Sequence, residues 1–128
     1  MPYSVLIVDD CRAMHSVLRR ILAMSGFDMG ACYFASDGED ALGVMRRHAV
    51  DLVISDINMP RLDGEGLLRK LREDQSLCSI PVVIVTSDAT ESRTRRLIGL
   101  GAKAYLTKPF LPEVFRAEID RVMEGCHA

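Results

Sequence analysis

The sequence predicts an α/β domain: a five-stranded parallel sheet with helices packed on both faces. Three observations lead there. Runs of Val, Ile and Leu stand at 5–8, 52–54 and 82–85, each the core of one buried strand, as in strands covered on both faces. Between the strand-like runs lie longer segments whose apolar residues repeat at helical spacing. The strand-like runs end in polar residues: Asp9-Asp10, Asp56 and Thr86-Ser87. Strand and helix alternate five times, which implies right-handed crossovers in one compact domain.

Taken in order, Val5–Val8 is the first strand. Met14, Val17, Leu18, Ile21 and Leu22 then form the apolar stripe of a helix, with His15, Ser16, Arg19 and Arg20 on its polar side and a stop near Gly26. Ala31–Ala35 reads as the second strand, and the segment Phe27–Gly30 before it leaves the register open. Ser36 and Glu39 have the spacing of a capping box, opening a helix that buries Ala41, Leu42 and Met45 and ends near His48. Leu52–Ser55 is the third strand; Gly64, Leu67, Leu68 and Leu71 mark the third helix. Pro81 precedes the fourth strand, Val82–Val85. The fourth helix, Thr90 to Leu100, is crowded by Arg93, Arg95 and Arg96, with Leu97, Ile98 and Leu100 as its apolar side and Gly101 as its stop. Lys103–Leu106 is the fifth strand. Pro112 suits the first turn of a last helix, which buries Phe115, Ile119, Val122 and Met123.

Composition narrows the function classes. Net charge is −2, so no bulk positive charge supports nucleic-acid binding. No apolar run approaches the roughly 20 residues that cross a bilayer, and no basic stretch followed by a long apolar one stands at the N-terminus. Four cysteines, Cys11, Cys32, Cys78 and Cys126, form no Cys-x-x-Cys pair, so reduced thiols in a cytoplasmic protein are expected. Residues 1–128 are expected to form a single domain, with no linker or output domain.

All strands of a parallel sheet point one way, so Asp9, Asp10, Asp56, Thr86 and Lys108 are expected on one rim, where open α/β sheets bind ligands. Three carboxylates in one cleft repel unless a cation joins them, and oxygen donors suit a hard ion such as Mg²⁺. Lys108 and Thr86 can neutralise and hydrogen-bond a second anion. Such a set fits phosphoryl transfer, which needs positioning and charge neutralisation. A carboxylate beside the metal can itself be the nucleophile, and Asp56, on the middle strand of the site, is the candidate.

The blocks Val8-Asp9-Asp10, Asp56-Ile57-Asn58-Met59-Pro60 with Asp63-Gly64, Val85-Thr86-Ser87, Gly101-Ala102 with Tyr105, and Lys108-Pro109-Phe110 together resemble a response-regulator receiver domain of the stand-alone chemotaxis (CheY-like) type. The resemblance covers almost the whole chain. It implies a flavodoxin-like, three-layer doubly wound fold with strand order 2-1-3-4-5 and five helices. It implies that Asp56 is the phosphoacceptor, that Asp9, Asp10, Asp56 and the backbone carbonyl of Asn58 hold Mg²⁺ (or Mn²⁺), and that Thr86 and Lys108 stabilise the phosphoryl group. Thr86 and Tyr105 would form the switch, and the Lys108–Pro109 bond would be cis. Asn58 and Asp88 would tune dephosphorylation and give a phosphoryl state lasting seconds to minutes. The implied partners are a sensor histidine kinase or histidine phosphotransfer protein, and a downstream protein on the face of the fourth helix, fifth strand and fifth helix. Neither nucleic acid nor membrane is expected, and the chain is expected to be a monomer that catalyses only its own phosphorylation and dephosphorylation. The alternative is a metal-dependent phosphohydrolase with an Asp nucleophile. It would usually carry an acid two residues after the nucleophile, where this chain has Asn58.

Overall fold

The computed structural model describes residues 2–87 and 90–127. Elements alternate throughout: β1 (Tyr3–Val8), α1 (Arg12–Met24), β2 (Met29–Ala35), α2 (Gly38–Arg47), β3 (Leu52–Ser55), α3 (Gly64–Glu73), β4 (Val82–Thr86), α4 (Glu91–Gly99), β5 (Ala104–Thr107) and α5 (Pro112–His127). Every strand pair is parallel and the order is β2-β1-β3-β4-β5. That is the doubly wound architecture expected from the sequence.

Two cores result, because successive side chains of a strand point to opposite faces. Leu6, Val8, Val53 and Ile84 face one way and pack with Leu42, Met45, Leu67, Leu68, Leu71 and Leu97 from α2, α3 and α4. Val5, Ile7, Leu52, Ile54, Val83 and Val85 face the other way, against Leu18 and Leu22 of α1 and Phe115, Ile119, Val122 and Met123 of α5. Strands β3 and β4 have no exposed residue, since both of their faces are covered.

Local departures from the sequence expectations have identifiable causes. Strand β2 begins at Met29 rather than Ala31, and its register with β1 shifts between Tyr3 and Val5. The N-cap of α2 is Asp37, whose side chain accepts from the Asp40 amide. The cap therefore sits one residue later than a Ser36–Glu39 box. Asp40 turns back to accept from the Ser36 amide at 3.1 Å, so the reciprocal acid is Asp40 and not Glu39. On α1, Val17 is exposed and only Leu18 and Leu22 are buried. On α4 only Leu97 is buried and Ile98 is exposed. Edge helices bury a narrower stripe than their apolar periodicity suggests. The Lys108–Pro109 bond is cis. No helix among the described residues is long and apolar enough to cross a membrane.

Candidate functional site

The rim residues are placed by the strands that deliver them. The amide of Asp9 donates to the Ala35 carbonyl (3.0 Å), that of Asp56 to Val8 (2.9 Å), and that of Lys108 to Thr86 (2.7 Å). Each residue is thus tied to the end of the neighbouring strand, and the side chains leave the carboxyl edge of the sheet from fixed backbone positions. Their chemistry converges there. Carboxylate oxygens of Asp9, Asp10 and Asp56 all lie within 4.8 Å of one another. Asp9 is buried at 2% exposure, Asp56 is half-buried and Asp10 is exposed.

Lys108 bridges the two less exposed acids. Its Nζ donates to Asp9 Oδ2 at 3.1 Å and to Asp56 Oδ2 at 3.3 Å. Burial alone would push the Lys108 ammonium down. The hydrogen bond to Asp9 and the charges of Asp56 and Asp9 outweigh it, so its pKa lies above the ordinary lysine value. The remaining carboxylate oxygens take backbone donors. Asp9 Oδ1 accepts from the Cys11 amide at 2.9 Å, and Asp56 Oδ1 accepts from the Ile57 amide at 2.7 Å. These bonds fix both carboxylates while leaving the rim open above them. One lysine faces three acids, and an all-oxygen donor set of that kind fits a hard divalent cation such as Mg²⁺ or Mn²⁺.

Thr86 and Tyr105 stand on one face of the sheet. Ile84 is the register partner of Tyr105, and Thr86 that of Thr107; side chains two residues apart share a face. Thr86 is fully buried at the end of β4. The N-cap of α4 is Thr90, so capping does not account for Thr86. Tyr105 is half-buried and packs against the core beneath α2, α3 and α4. Asn58 lies in the exposed loop that follows β3. Asp88 falls outside the described residues. The arginines of α4 are partly answered within the chain: Arg95 pairs with Glu91, and Arg96 reaches Glu65 of α3 at 2.8 Å.

His15 is the rim residue that the helical pattern misplaced. It is half-buried rather than on a free polar face. Its Nε2 lies 2.6 Å from the Asp9 carbonyl and 3.2 Å from that of Ala35. Since carbonyls only accept, Nε2 carries the hydrogen and donates to both. The ring stacks on Phe34, centroids 5.0 Å apart. Periodicity alone carries no signal for this role, which depends on two strand ends meeting.

A five-stranded parallel sheet of this order, with an acidic triplet and a lysine on its carboxyl rim, defines a CheY-like phosphoacceptor architecture. The chain belongs to the response regulator receiver domain family, whose model matches residues 5–120. It is 33% identical to the chemotaxis protein CheY of Pseudomonas aeruginosa over 120 residues, covering 94% of this chain and 95% of that one. The fold superimposes on Vibrio cholerae CheY4 with a TM-score of 0.83 at 28% identity, covering 95% and 99% of the two chains. A response regulator from Chloroflexus aurantiacus gives a TM-score of 0.88 at 27% identity, covering 97% and 99%. The chain is a signalling receiver domain, similar to chemotaxis regulators along nearly all of its length.

Proposed function

We propose that this domain is a phosphorylation switch in which Asp56 receives a phosphoryl group from a phosphohistidine on a sensor kinase or phosphotransfer protein. An Asp56 carboxylate oxygen attacks phosphorus. The new O–P bond forms as the N–P bond breaks, and the histidine ring nitrogen leaves with the electron pair. Asp9, Asp10, Asp56 and the Asn58 carbonyl would hold Mg²⁺, which when bound would offset charge on the phosphoryl oxygens. Lys108, already bonded to Asp9 and Asp56, supplies a second cation. The observation that carries this reading is the convergence of three carboxylates within 4.8 Å, two of them already paired with Lys108.

Switching follows from what the phosphoryl group adds. New oxyanions bias a two-state surface only through contacts that differ between the states. Thr86 can donate a hydrogen bond to them, and its inward movement opens space for Tyr105 on the same face of the sheet. The affected surface is that of α4, β5 and α5, where the arginines of α4 favour an acidic target. Hydrolysis resets the switch, at a rate that the residue types at positions 58 and 88, an amide and an acid, are proposed to tune.

Incubation with a small acyl phosphate and Mg²⁺, followed by intact mass measurement, tests the proposal. One added phosphoryl group, absent in Asp56→Asn and absent with a chelator, is the expected result. A wild-type protein that gains nothing overturns it.

A further inference from the structure

The loop between β3 and α3 is gripped by a contact outside the acidic cluster. Arg61 is the one non-glycine residue with positive φ among the described residues, at 63°. Left-handed backbone is uncommon outside Gly, Asn and Asp, and it persists where the surroundings over-determine it. Here they do so from α2. Arg61 Nε donates to Asp37 Oδ2 at 2.8 Å, and a second guanidinium nitrogen meets the same oxygen at 2.6 Å. The other oxygen of Asp37 accepts from the Asp40 amide at 2.9 Å and caps α2. Asp37 is buried, at 2% exposure. That burial alone would raise its pKa, but the Asp40 amide and the Arg61 guanidinium outweigh it and hold the carboxyl below the ordinary range.

The next residue is held as well. The Leu62 carbonyl accepts from the Gly38 amide at 2.8 Å. A Cβ at position 38 would lie 2.7 Å from Leu62 Cγ and 2.8 Å from the Leu62 carbonyl oxygen, so the start of α2 rests directly on the loop. At the other end, the Gly64 amide donates to the Ile57 carbonyl at 2.8 Å. Residues 58–60, and with them the Asn58 carbonyl, are suspended between these two fixed points.

We propose that Arg61 and Asp37 are positioning residues for a divalent cation at the rim: their clasp pre-orders the loop that presents the Asn58 carbonyl, without touching the ion. The proposal rests on the reading of Asp9, Asp10, Asp56 and the Asn58 carbonyl as a metal site. A loop already ordered spares the binding step the entropy of ordering it. Charge alone makes the opposite prediction for one of the two residues. Removing the Arg61 cation near an acidic cluster should tighten cation binding, whereas removing the Asp37 anion should weaken it. Positioning predicts that both removals weaken it by a similar factor, and that removing both is no worse than removing one.

The test is an Mn²⁺ titration of the whole protein, following loss of the free-ion paramagnetic resonance signal, for wild type, Asp37→Asn, Arg61→Asn, the double variant and Arg61→Lys. Asn at 37 keeps a cap acceptor and Asn at 61 tolerates left-handed backbone, and thermal unfolding checks that each variant is folded. Each single Asn variant is expected to raise the dissociation constant about tenfold, as loss of an outer-shell partner does. The double variant should match the singles, and Arg61→Lys should recover part of the loss. Binding by Arg61→Asn as tight as wild type or tighter overturns the proposal, as does a double variant whose loss is the product of the two. A wild-type protein that takes up no Mn²⁺ instead overturns the reading of the acidic cluster, and the proposal falls with it.

Discussion

Lys108 has two opposed duties, and a single substitution separates them. Without a metal, its ammonium is the cation that answers Asp9 and Asp56. A metal held by the same carboxylates would compete with it. Lys108→Met is therefore expected to tighten Mg²⁺ binding severalfold, about 1 kcal/mol of relieved competition, while slowing phosphorylation by about a hundredfold through loss of one charge-stabilising donor. Calorimetric Mg²⁺ titration and the rate of mass gain from an acyl phosphate read these separately. The metal-free variant should be about 1–2 kcal/mol less stable, because buried Asp9 loses its partner. The sign with pH follows from the raised pKa of Lys108. A group whose folded pKa exceeds its unfolded one contributes fully below the unfolded value, about 10.4, and loses that contribution as pH rises through the folded one. The urea-midpoint gap between wild type and Lys108→Met should be constant around neutrality and close above about pH 10.5. A gap that widens there would contradict the pairing.

At the scale of elements, the approach of α3 to the end of β3 sets how Asp56, the proposed nucleophile, is presented. Gly64, the first residue of α3, packs so closely that an added Cβ would overlap the Asp56 carbonyl oxygen and lie 2.8 Å from the Ile57 Cα. Both are backbone atoms at a strand end and neither can yield without moving Asp56. Gly64→Ala is expected to cost about 2–3 kcal/mol, as overpacking does, and to slow phosphorylation well beyond what the loss of stability explains. Urea unfolding and the rate of mass gain, compared at a temperature where both proteins are folded, check it. What was legible in the sequence follows the same division. Strands buried on both faces announce themselves by composition alone, which is why Val5–Val8, Leu52–Ser55 and Val82–Val85 lie within β1, β3 and β4. Knowing that the strands are parallel brings Asp9, Asp10, Asp56 and Lys108 to one rim. Contacts between loops left no such trace. Asp37 and Arg61 meet across 24 residues, His15 reaches carbonyls 20 and 6 residues away, and no periodicity encodes such meetings. The exposure of Val17 and Ile98 was hidden for a related reason: helical spacing gives an apolar stripe but not how much of it the sheet covers.

For the molecule as a whole, the acidic rim concentrates like charge that a bound cation would offset. Three carboxylates crowd one edge, and a single lysine is shared between two of them. Among the described residues, Asp10, the exposed member, has neither a lysine nor a strand-end amide holding its carboxylate. Sites of this kind trade stability for activity, and the trade is readable through linkage. A ligand that binds the folded chain and not the unfolded one stabilises by RT ln(1 + [L]/Kd), about 2.7 kcal/mol at a hundredfold excess over Kd. For a domain of 128 residues that corresponds to a rise in melting temperature of about 10 °C. Asp10→Asn should lose most of the rise, because a donor carboxylate becomes a neutral amide. In the absence of metal the same variant should melt no lower than wild type, and slightly higher, since it removes one of three mutually repelling charges and no buried partner. The two measurements are coupled: a residue that supported the fold would lower both temperatures, whereas a residue kept for the ion lowers only the one with Mg²⁺ present. A melting temperature indifferent to Mg²⁺ in the wild-type protein would show that the rim does not discharge its repulsion through a cation. Among the described residues, Lys108 would then be the cation left to balance Asp9 and Asp56.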